Sequence, residues 1–178
     1  MSVQIRKGVV SDATELAAFA ARTFADTFGA DNRPEHLKAH LESSYGTVHQ
    51  TEELENPDTV TLLAYAETAL VAYAQLRRET PPPFVVADRA IQLHRFYVDR
   101  AVHGRGIAQA LMGAVHAHVR ELGGTHIWLT VWERNPRAIA FYRKAGFVDV
   151  GSTDFYVGAD RQTDRVFVVE VAEPLASA

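Results

Sequence analysis

Two glycines lie where an apolar, strand-like segment gives way to an amphipathic, helical one. The segment reads His103-Gly104-Arg105-Gly106-Ile107-Ala108. A helix that begins here would leave four backbone N–H groups without partners and would place about half a positive charge at its N-terminus. Glycines would let a ligand approach that backbone closely. The segment therefore predicts a site for a phosphate or pyrophosphate, although an ordinary strand-to-helix turn can use the same glycines.

Two common phosphate-binding patterns do not fit this segment. The dinucleotide fingerprint needs a third small residue three positions after the second glycine, where this chain has Gln109. The P-loop needs Gly-Lys-Ser or Gly-Lys-Thr, and this chain has Gly106-Ile107-Ala108. Neither a nucleoside triphosphate nor a nicotinamide dinucleotide is therefore indicated.

Several other kinds of site are excluded by the sequence. The chain has no cysteine, so it holds no disulfide, cysteine nucleophile or thiolate metal site. His116 and His118 are two apart and would point to different faces of a helix, which rules out a zinc pair at helical spacing. No Gly-x-Ser-x-Gly motif of a serine hydrolase is present. We expect no metal site.

Length and composition fit one globular domain over residues 1–178. The chain is 47% hydrophobic and 22% charged, which allows a well-buried core. Its formal net charge of −4 argues against a general nucleic-acid binder. There is no run of 18 apolar residues and no basic-then-apolar leader. We therefore expect neither a membrane span nor a secretory signal, and a cytoplasmic location by default.

Hydrophobic periodicity predicts a helical region after the first strand, then a hairpin, then alternating strands and helices. Asp12 with Glu15 resembles a capping box opening a helix to about Phe28. The predicted helices are 12–28, 34–44, 47–55, 104–122 and 136–145. The predicted strands are 3–8, 59–65, 70–78, 90–98, 126–133, 147–157 and 165–171.

The strand before the glycines changes phase. Ile91 and Leu93 point one way, but Phe96 and Val98 fall in the opposite phase, so the alternation slips by one residue near His94. Such a slip in a half-buried strand indicates a bulge, which splays the strand from its neighbour and leaves backbone groups unpaired. A ligand's amide groups could pair there, unless these side chains simply face a mixed environment.

Two segments together resemble the GCN5-related N-acetyltransferases. The glycine segment is similar to that family's Gln/Arg-x-x-Gly-x-Gly/Ala pyrophosphate loop, with His103 at the first position. A later segment resembles the family's second signature and runs Asn135-Pro136-Arg137-Ala138-Ile139-Ala140-Phe141-Tyr142-Arg143-Lys144-Ala145-Gly146-Phe147. The resemblance implies an α/β (α+β) fold. Its central mixed, mostly antiparallel twisted sheet has about six or seven strands, helices on both faces and a splayed strand pair at the cofactor site.

The resemblance also implies an acetyl-coenzyme A-dependent enzyme. From the residues alone, Asn135 before Pro136 is a helix N-cap, and Lys144 is a charge that suits a helix end. The resemblance adds contacts with the coenzyme. The implied coenzyme-binding residues are Phe96, Tyr97, Val98, His103, Gly104, Arg105, Gly106, Ile107, Ala108, Asn135, Tyr142 and Lys144.

Acetyl transfer to an amine needs an acid and a base. The resemblance makes Tyr142 the general acid, and a phenol with a pKa near 10 is protonated at neutral pH and ready to donate. An amine with a pKa of about 10.4 must lose a proton before it can attack. Glu133, at a predicted strand end, and His94, at the predicted bulge, are the two candidate bases. A backbone N–H near Val98 would hold the oxyanion.

Further segments resemble bacterial spermidine and spermine N-acetyltransferases of the PaiA type. One runs Phe155-Tyr156-Val157-Gly158-Ala159-Asp160 and continues with Gln162-Thr163-Asp164. A polyamine needs carboxylates for its ammonium groups and aromatic faces for its methylenes. The candidate acceptor residues are Asp26, Phe28, Trp132 and Phe155, with further carboxylates at Glu42, Glu133 and Asp160.

Other acceptors stay open on this scaffold. A protein or peptide amine, an amino sugar or an antibiotic could take the place of the polyamine. A coenzyme A-binding regulator without turnover is a third, non-enzymatic hypothesis, against which Tyr142 and Asn135 speak. The resemblance is compatible with a homodimer, although no pattern in the sequence indicates an interface.

Overall fold

One sheet of seven strands runs through the part of the chain that this computed structural model describes, residues 2–157 and 159–171. The spatial order is β1-β2-β3-β4-β5-β7-β6, and every neighbouring pair is antiparallel except β4 and β5, which are parallel. The strands are β1 (Val3–Lys7), β2 (Thr59–Ala66), β3 (Ala69–Arg77), β4 (Ala90–Val98), β5 (His126–Trp132), β6 (Val148–Val157) and β7 (Asp160–Glu170). The expected mixed, mostly antiparallel sheet is confirmed.

Helices cover both faces of this sheet, as expected. Leu62 and Leu63 are neighbours in β2 and therefore point to opposite faces. Leu62 packs in the cluster that contains Leu111, and Leu63 packs with Phe24. The helices are α1 (Ala13–Phe28), α2 (Pro34–Ser44), α3 (Thr47–Glu55), α4 (Ile107–Glu121) and α5 (Pro136–Lys144). We call the two faces the α1 face and the α4 face.

The predicted bulge in β4 is confirmed. In the β3–β4 ladder Gln75 pairs with Arg95, and the next residue, Leu76, pairs with Leu93. His94 is therefore the extra residue in β4, which is what the slip in hydrophobic phase indicated.

The splay between β4 and β5 follows this bulge. The two strands pair only at Ala90 with His126, Ile91 with Ile127 and Gln92 with Trp128. Beyond these pairs β4 continues to Val98 and β5 to Trp132 without pairing to each other. A gap therefore separates the second halves of β4 and β5, while β4 remains paired with β3 and β5 remains paired with β7.

A buried ion cluster anchors the bulged part of β4 to α3. Arg95 donates to the Glu53 carboxylate at 2.5 Å, Gln75 donates to it at 3.1 Å, and Arg77 donates to it as well. Burial alone would raise the pKa of Glu53, but the positive charges of Arg95 and Arg77 hold that pKa below its ordinary value. The Arg95 guanidinium also lies 4.8 Å from the ring centroid of Tyr45. These contacts hold β4 in place beside the splay.

Three local predictions are wrong. Asp12 forms no capping box with Glu15, since its carboxylate accepts hydrogen bonds from Arg6 at 2.7 and 2.8 Å and from the Val9 N–H, before the helix, at 2.8 Å. Helix α4 begins at Ile107, after a short 3₁₀ turn at Arg100–Val102, and not at residue 104. Strand β7 begins at Asp160, five residues before the expected start. Among the described residues, no helix is long and apolar enough to cross a membrane.

Candidate active site

A cleft of about 970 Å³ lies at the splay between β4 and β5. Side chains from α1, α2, β4, β5, α5, β6 and β7 line it, together with the glycine segment. It brings together most of the residues singled out from the sequence. These are His94, Phe96, Tyr97, Val98, His103, Gly104, Gly106, Ile107, Ala108, Asn135, Tyr142, Asp26, Phe28, Trp132 and Phe155.

The glycine segment has the geometry of an open cradle. Gly104 and Gly106 have φ of 78° and 80°, a left-handed conformation that favours glycine. A Cβ added at either position would meet no atom within 4 Å, so the space beside both is open. The first backbone bond into α4 runs from the Ala110 N–H to the Gly106 carbonyl at 3.0 Å. The N–H groups of residues 107–109 have no backbone acceptor within the described chain.

His103 ties this cradle to the end of β4. Its Nε2 lies 3.0 Å from the Val98 carbonyl oxygen, so Nε2 carries the proton and donates it. Arg105, which was expected to bind the coenzyme, is exposed and does not line the cleft. Its N–H donates to the Val102 carbonyl at 3.4 Å. Histidine at the first position of the loop therefore positions the turn.

The open side of β4 carries unpaired backbone groups. The Asp99 N–H donates to the Val71 carbonyl at 2.9 Å, and backbone bonding in an antiparallel ladder alternates along the strand. Tyr97 and Arg95, which are in phase with Asp99, therefore bond to β3. The N–H groups of the residues between them and beyond, Phe96 and Val98, point the other way and face the splay. This is the arrangement that the phase slip indicated.

Tyr142 is buried among aromatic rings on the α4 face. Its ring centroid lies 6.3 Å from that of Phe96 and 5.5 Å from those of Phe141 and Phe147. Burial raises the pKa of the phenol well above its ordinary value. Tyr142 therefore keeps its proton throughout the neutral pH range. Its side chain lines the cleft.

Asn135 is the N-cap of α5, as its position before Pro136 indicated. Its Oδ1 accepts the Ala138 N–H at 3.1 Å. Lys144, at the other end of α5, is exposed and does not line the cleft.

We expect Asn135→Ala to lower the free energy of unfolding by about 1 kcal/mol, because it removes this cap. Asn135→Asp keeps a cap acceptor and should stay close to the wild type. Denaturant unfolding of both variants measures the difference. Equal losses in the two variants would contradict the capping role.

An aromatic wall lies on the α1 face of the cleft. The ring centroid of Phe28 lies 5.3 Å from that of Trp132 and 6.3 Å from that of Phe155. Asp26, on α1, also lines the cleft, and its carboxylate lies 4.0 Å from Arg22. The structure thus gathers all four candidate acceptor residues.

The other predicted carboxylates lie outside the cleft lining. Glu133 is exposed, and its backbone N–H donates to the Thr163 carbonyl at 3.1 Å. Glu42 is exposed on α2, 3.8 Å from Lys38. Asp160 is exposed at the start of β7, and Gly158, two residues before it, lies outside the described residues.

His94, the other predicted base, lines the cleft but is a weak proton acceptor. Burial, together with the positive charges of Arg95 and Arg77, lowers its pKa to about 3. Its imidazole is therefore neutral at pH 7 and has little tendency to take up a proton.

Sequence reasoning missed the role that burial gives Asp164. It lies in β7 directly opposite Trp132 of β5, is only 5% exposed and lines the cleft. Burial, with a smaller contribution from Glu133, raises its pKa to about 6. The alternation of side chains along a strand could have revealed this burial. If β7 is extended to begin before residue 164, Asp164 points to the same face as the buried Val166.

Comparisons with known proteins agree with this architecture. A family model described as "Acetyltransferase (GNAT) family" matches residues 23–147. An uncharacterised N-acetyltransferase of Mycobacterium tuberculosis is 35% identical over 162 residues, which are 91% of this chain and 99% of that protein. A spermidine N(1)-acetyltransferase of Thermoplasma acidophilum is 24% identical over 161 residues, 87% of this chain and 95% of its own length.

The fold also matches a solved structure. The crystal structure of the PaiA N-acetyltransferase from Thermoplasma acidophilum in complex with coenzyme A superposes with a TM-score of 0.77. The match covers 96% of this chain and 99% of that one at 21% sequence identity. The likeness at this identity concerns the fold.

Proposed function

The chain belongs to the acetyltransferase (GNAT) family, and on that premise we propose that it acetylates a primary amine of the polyamine class, such as spermidine or spermine. As a member of this family it is an N-acetyltransferase that uses acetyl-coenzyme A.

The glycine cradle fits the pyrophosphate of coenzyme A. The space beside Gly104 and Gly106 is open, and the start of α4 offers N–H groups without backbone acceptors. Both features suit a bound diphosphate. We propose that the N–H groups of Phe96 and Val98, which face the splay, pair with the amides of the coenzyme's arm, and that Asn135 contacts it too.

When bound, acetyl-coenzyme A supplies an acetyl thioester. Tyr142 is the proposed proton donor to the departing sulfur, because its phenol is protonated at neutral pH and lines the cleft. The rings of Phe96, Phe141 and Phe147 hold the Tyr142 side chain in one orientation.

The aromatic wall carries the polyamine proposal. Phe28, Trp132 and Phe155 present ring surface on the α1 face, and Asp26 adds a carboxylate to the same cleft. Methylene segments pack on aromatic rings, and an ammonium group pairs with a carboxylate. A relative named for spermidine acetylation supports the same class of acceptor.

A comparison of two acceptors tests this proposal. We expect turnover of spermidine, and we expect Asp26→Asn to raise KM severalfold for spermidine while leaving KM for propylamine, which has a single nitrogen, unchanged. Glu55→Gln, an exposed carboxylate on α3, is the matched control and should change neither constant. Steady-state release of the coenzyme A thiol measures both. Turnover of a peptide amine alone, with none of spermidine, would overturn the polyamine assignment.

A further inference from the structure

We propose that Asp164 is the residue that takes the proton from the acceptor amine. The assignment rests on the proposed N-acetyltransferase function and adds to it the missing base. It replaces both candidates drawn from the sequence, Glu133 and His94.

The Asp164 carboxylate has an oxygen that is free to accept a hydrogen bond from a ligand. Its Oδ1 is buried and has no hydrogen-bond partner among the described residues. A buried acceptor without a donor is costly, and native structures retain few of them. Because Asp164 lines the cleft beside Thr130 and Trp132, an ammonium group of the substrate would supply the missing donor.

Asp164 and Tyr142 lie on opposite faces of the sheet and line the same cleft. Asp164 pairs with Trp132, which packs with Phe28 on the α1 face. Tyr142 belongs to the cluster of the α4 face. The splay between β4 and β5 connects the two. The proton acceptor is therefore on the side of the aromatic wall, and the proton donor is on the side of the glycine cradle.

The electrostatic surroundings suit Asp164 to this role. Burial raises its pKa to about 6; a hydrogen bond from the Thr130 side chain opposes this rise, and the negative charge of Glu133 adds a smaller contribution to it. The carboxylate is thus ionised at pH 7 yet more basic than an ordinary aspartate. The other charged or titratable groups that line the cleft come from all the surrounding elements. They are Asp26 on α1, His40 on α2, Tyr45 after α2, His94, Arg95 and Tyr97 on β4, Arg100 and His103 between β4 and α4, Arg134 and Arg137 around the start of α5, and Tyr142 on α5.

The proton balance closes with these two residues. The ammonium nitrogen gives one proton to the Asp164 carboxylate, which passes it to solvent. As the nitrogen–carbon bond forms and the carbon–sulfur bond breaks, the nitrogen loses its second proton, and Tyr142 delivers one to the sulfur. The second proton from the nitrogen restores the phenol. One proton is released per acetyl group transferred.

The pH dependence of kcat/KM tests the assignment, with the amine that the wild type acetylates fastest. For the wild type we expect activity to fall below about pH 6, as Asp164 becomes protonated. Asp164→Asn should lose activity by about 10²-fold to 10⁴-fold at pH 7. Its remaining activity should rise steadily with pH, because only the neutral amine can then react. Asp164→Glu should restore part of the rate, together with the fall in activity at acid pH, which we call the acid limb.

Two controls separate this role from a structural one. Asp154→Asn, which changes an exposed carboxylate on β6, should leave the profile unchanged. Glu133→Gln should move the acid limb to lower pH without removing it, because it takes away a charge that raises the pKa of Asp164.

Folding of Asp164→Asn can be checked independently. The native state raises the pKa of Asp164, so the wild type loses stability as the pH rises through about 6. The variant has no such loss, and its Tm at pH 8 should equal or exceed that of the wild type. An active wild type with an Asp164→Asn variant that keeps its rate and acid limb would overturn the Asp164 assignment alone. A wild type that acetylates no amine would overturn the proposed function and this assignment with it.

Discussion

Tyr142→Phe is expected to lower kcat by about 10²-fold to 10⁴-fold while leaving the Kd for acetyl-coenzyme A within a few-fold of the wild type. The substitution removes one oxygen and keeps the ring that packs against Phe96, Phe141 and Phe147. The loss corresponds to about 3–5 kcal/mol of transition-state stabilisation. Such a loss in kcat alone is the signature of an interaction made in the transition state.

Tyr156→Phe is the matched control for this result. Tyr156 lies on β6, is 53% exposed and does not line the cleft. Steady-state kinetics and a binding titration on both variants give kcat and Kd separately. A Tyr142→Phe variant whose kcat stays within twofold of the wild type would exclude Tyr142 as the proton donor.

Gly106→Val is expected to weaken acetyl-coenzyme A binding by about 100-fold or more. A branched side chain is strained at a φ of 80°, and its Cβ would enter the open space that the cradle offers a diphosphate. Loss of two hydrogen bonds from backbone N–H groups to a charged phosphate lowers the binding free energy by about 3 kcal/mol or more. This loss accounts for the 100-fold weaker binding.

Gly123→Val makes the same change at the other end of α4. Gly123 has φ of 74° and no atom within 4 Å of an added Cβ, so it carries the same backbone strain. It does not line the cleft. Both variants should lose stability, but only Gly106→Val should lose binding in a calorimetric titration. Equal affinities in the two variants would contradict the cradle.

Local sequence patterns predicted the parts of the site that depend on local structure. The slip in phase at His94 located the bulge, because a half-buried strand must alternate and an extra residue reverses the alternation. Asn135 before Pro136 located the start of α5. The glycines located the turn into α4, although that helix begins later than expected, since Gly106 has a left-handed conformation that is incompatible with a helical turn.

Features that depend on contacts between residues far apart in the chain could not be predicted from local sequence patterns. The choice between Glu133 and Asp164 depends on which carboxylate the cleft buries, and that depends on where β7 begins. Polar residues in the 160–164 segment are typical of a turn, but pairing with β5 and β6 extends the strand through them. The contact of Glu53 with Arg95 joins residues 42 positions apart, and no local pattern indicates it.

Acetyl transfer to an amine is tested most directly by identifying the product formed from acetyl-coenzyme A and a primary amine at pH 7.5. Mass spectrometry of the amine and a titration of the released thiol are made on the same reaction, first with spermidine. We expect one acetyl group on the amine for each coenzyme A thiol released, with both signals lost together in Tyr142→Phe. Thiol release without any acetylated amine, or no release with any primary amine, would contradict it.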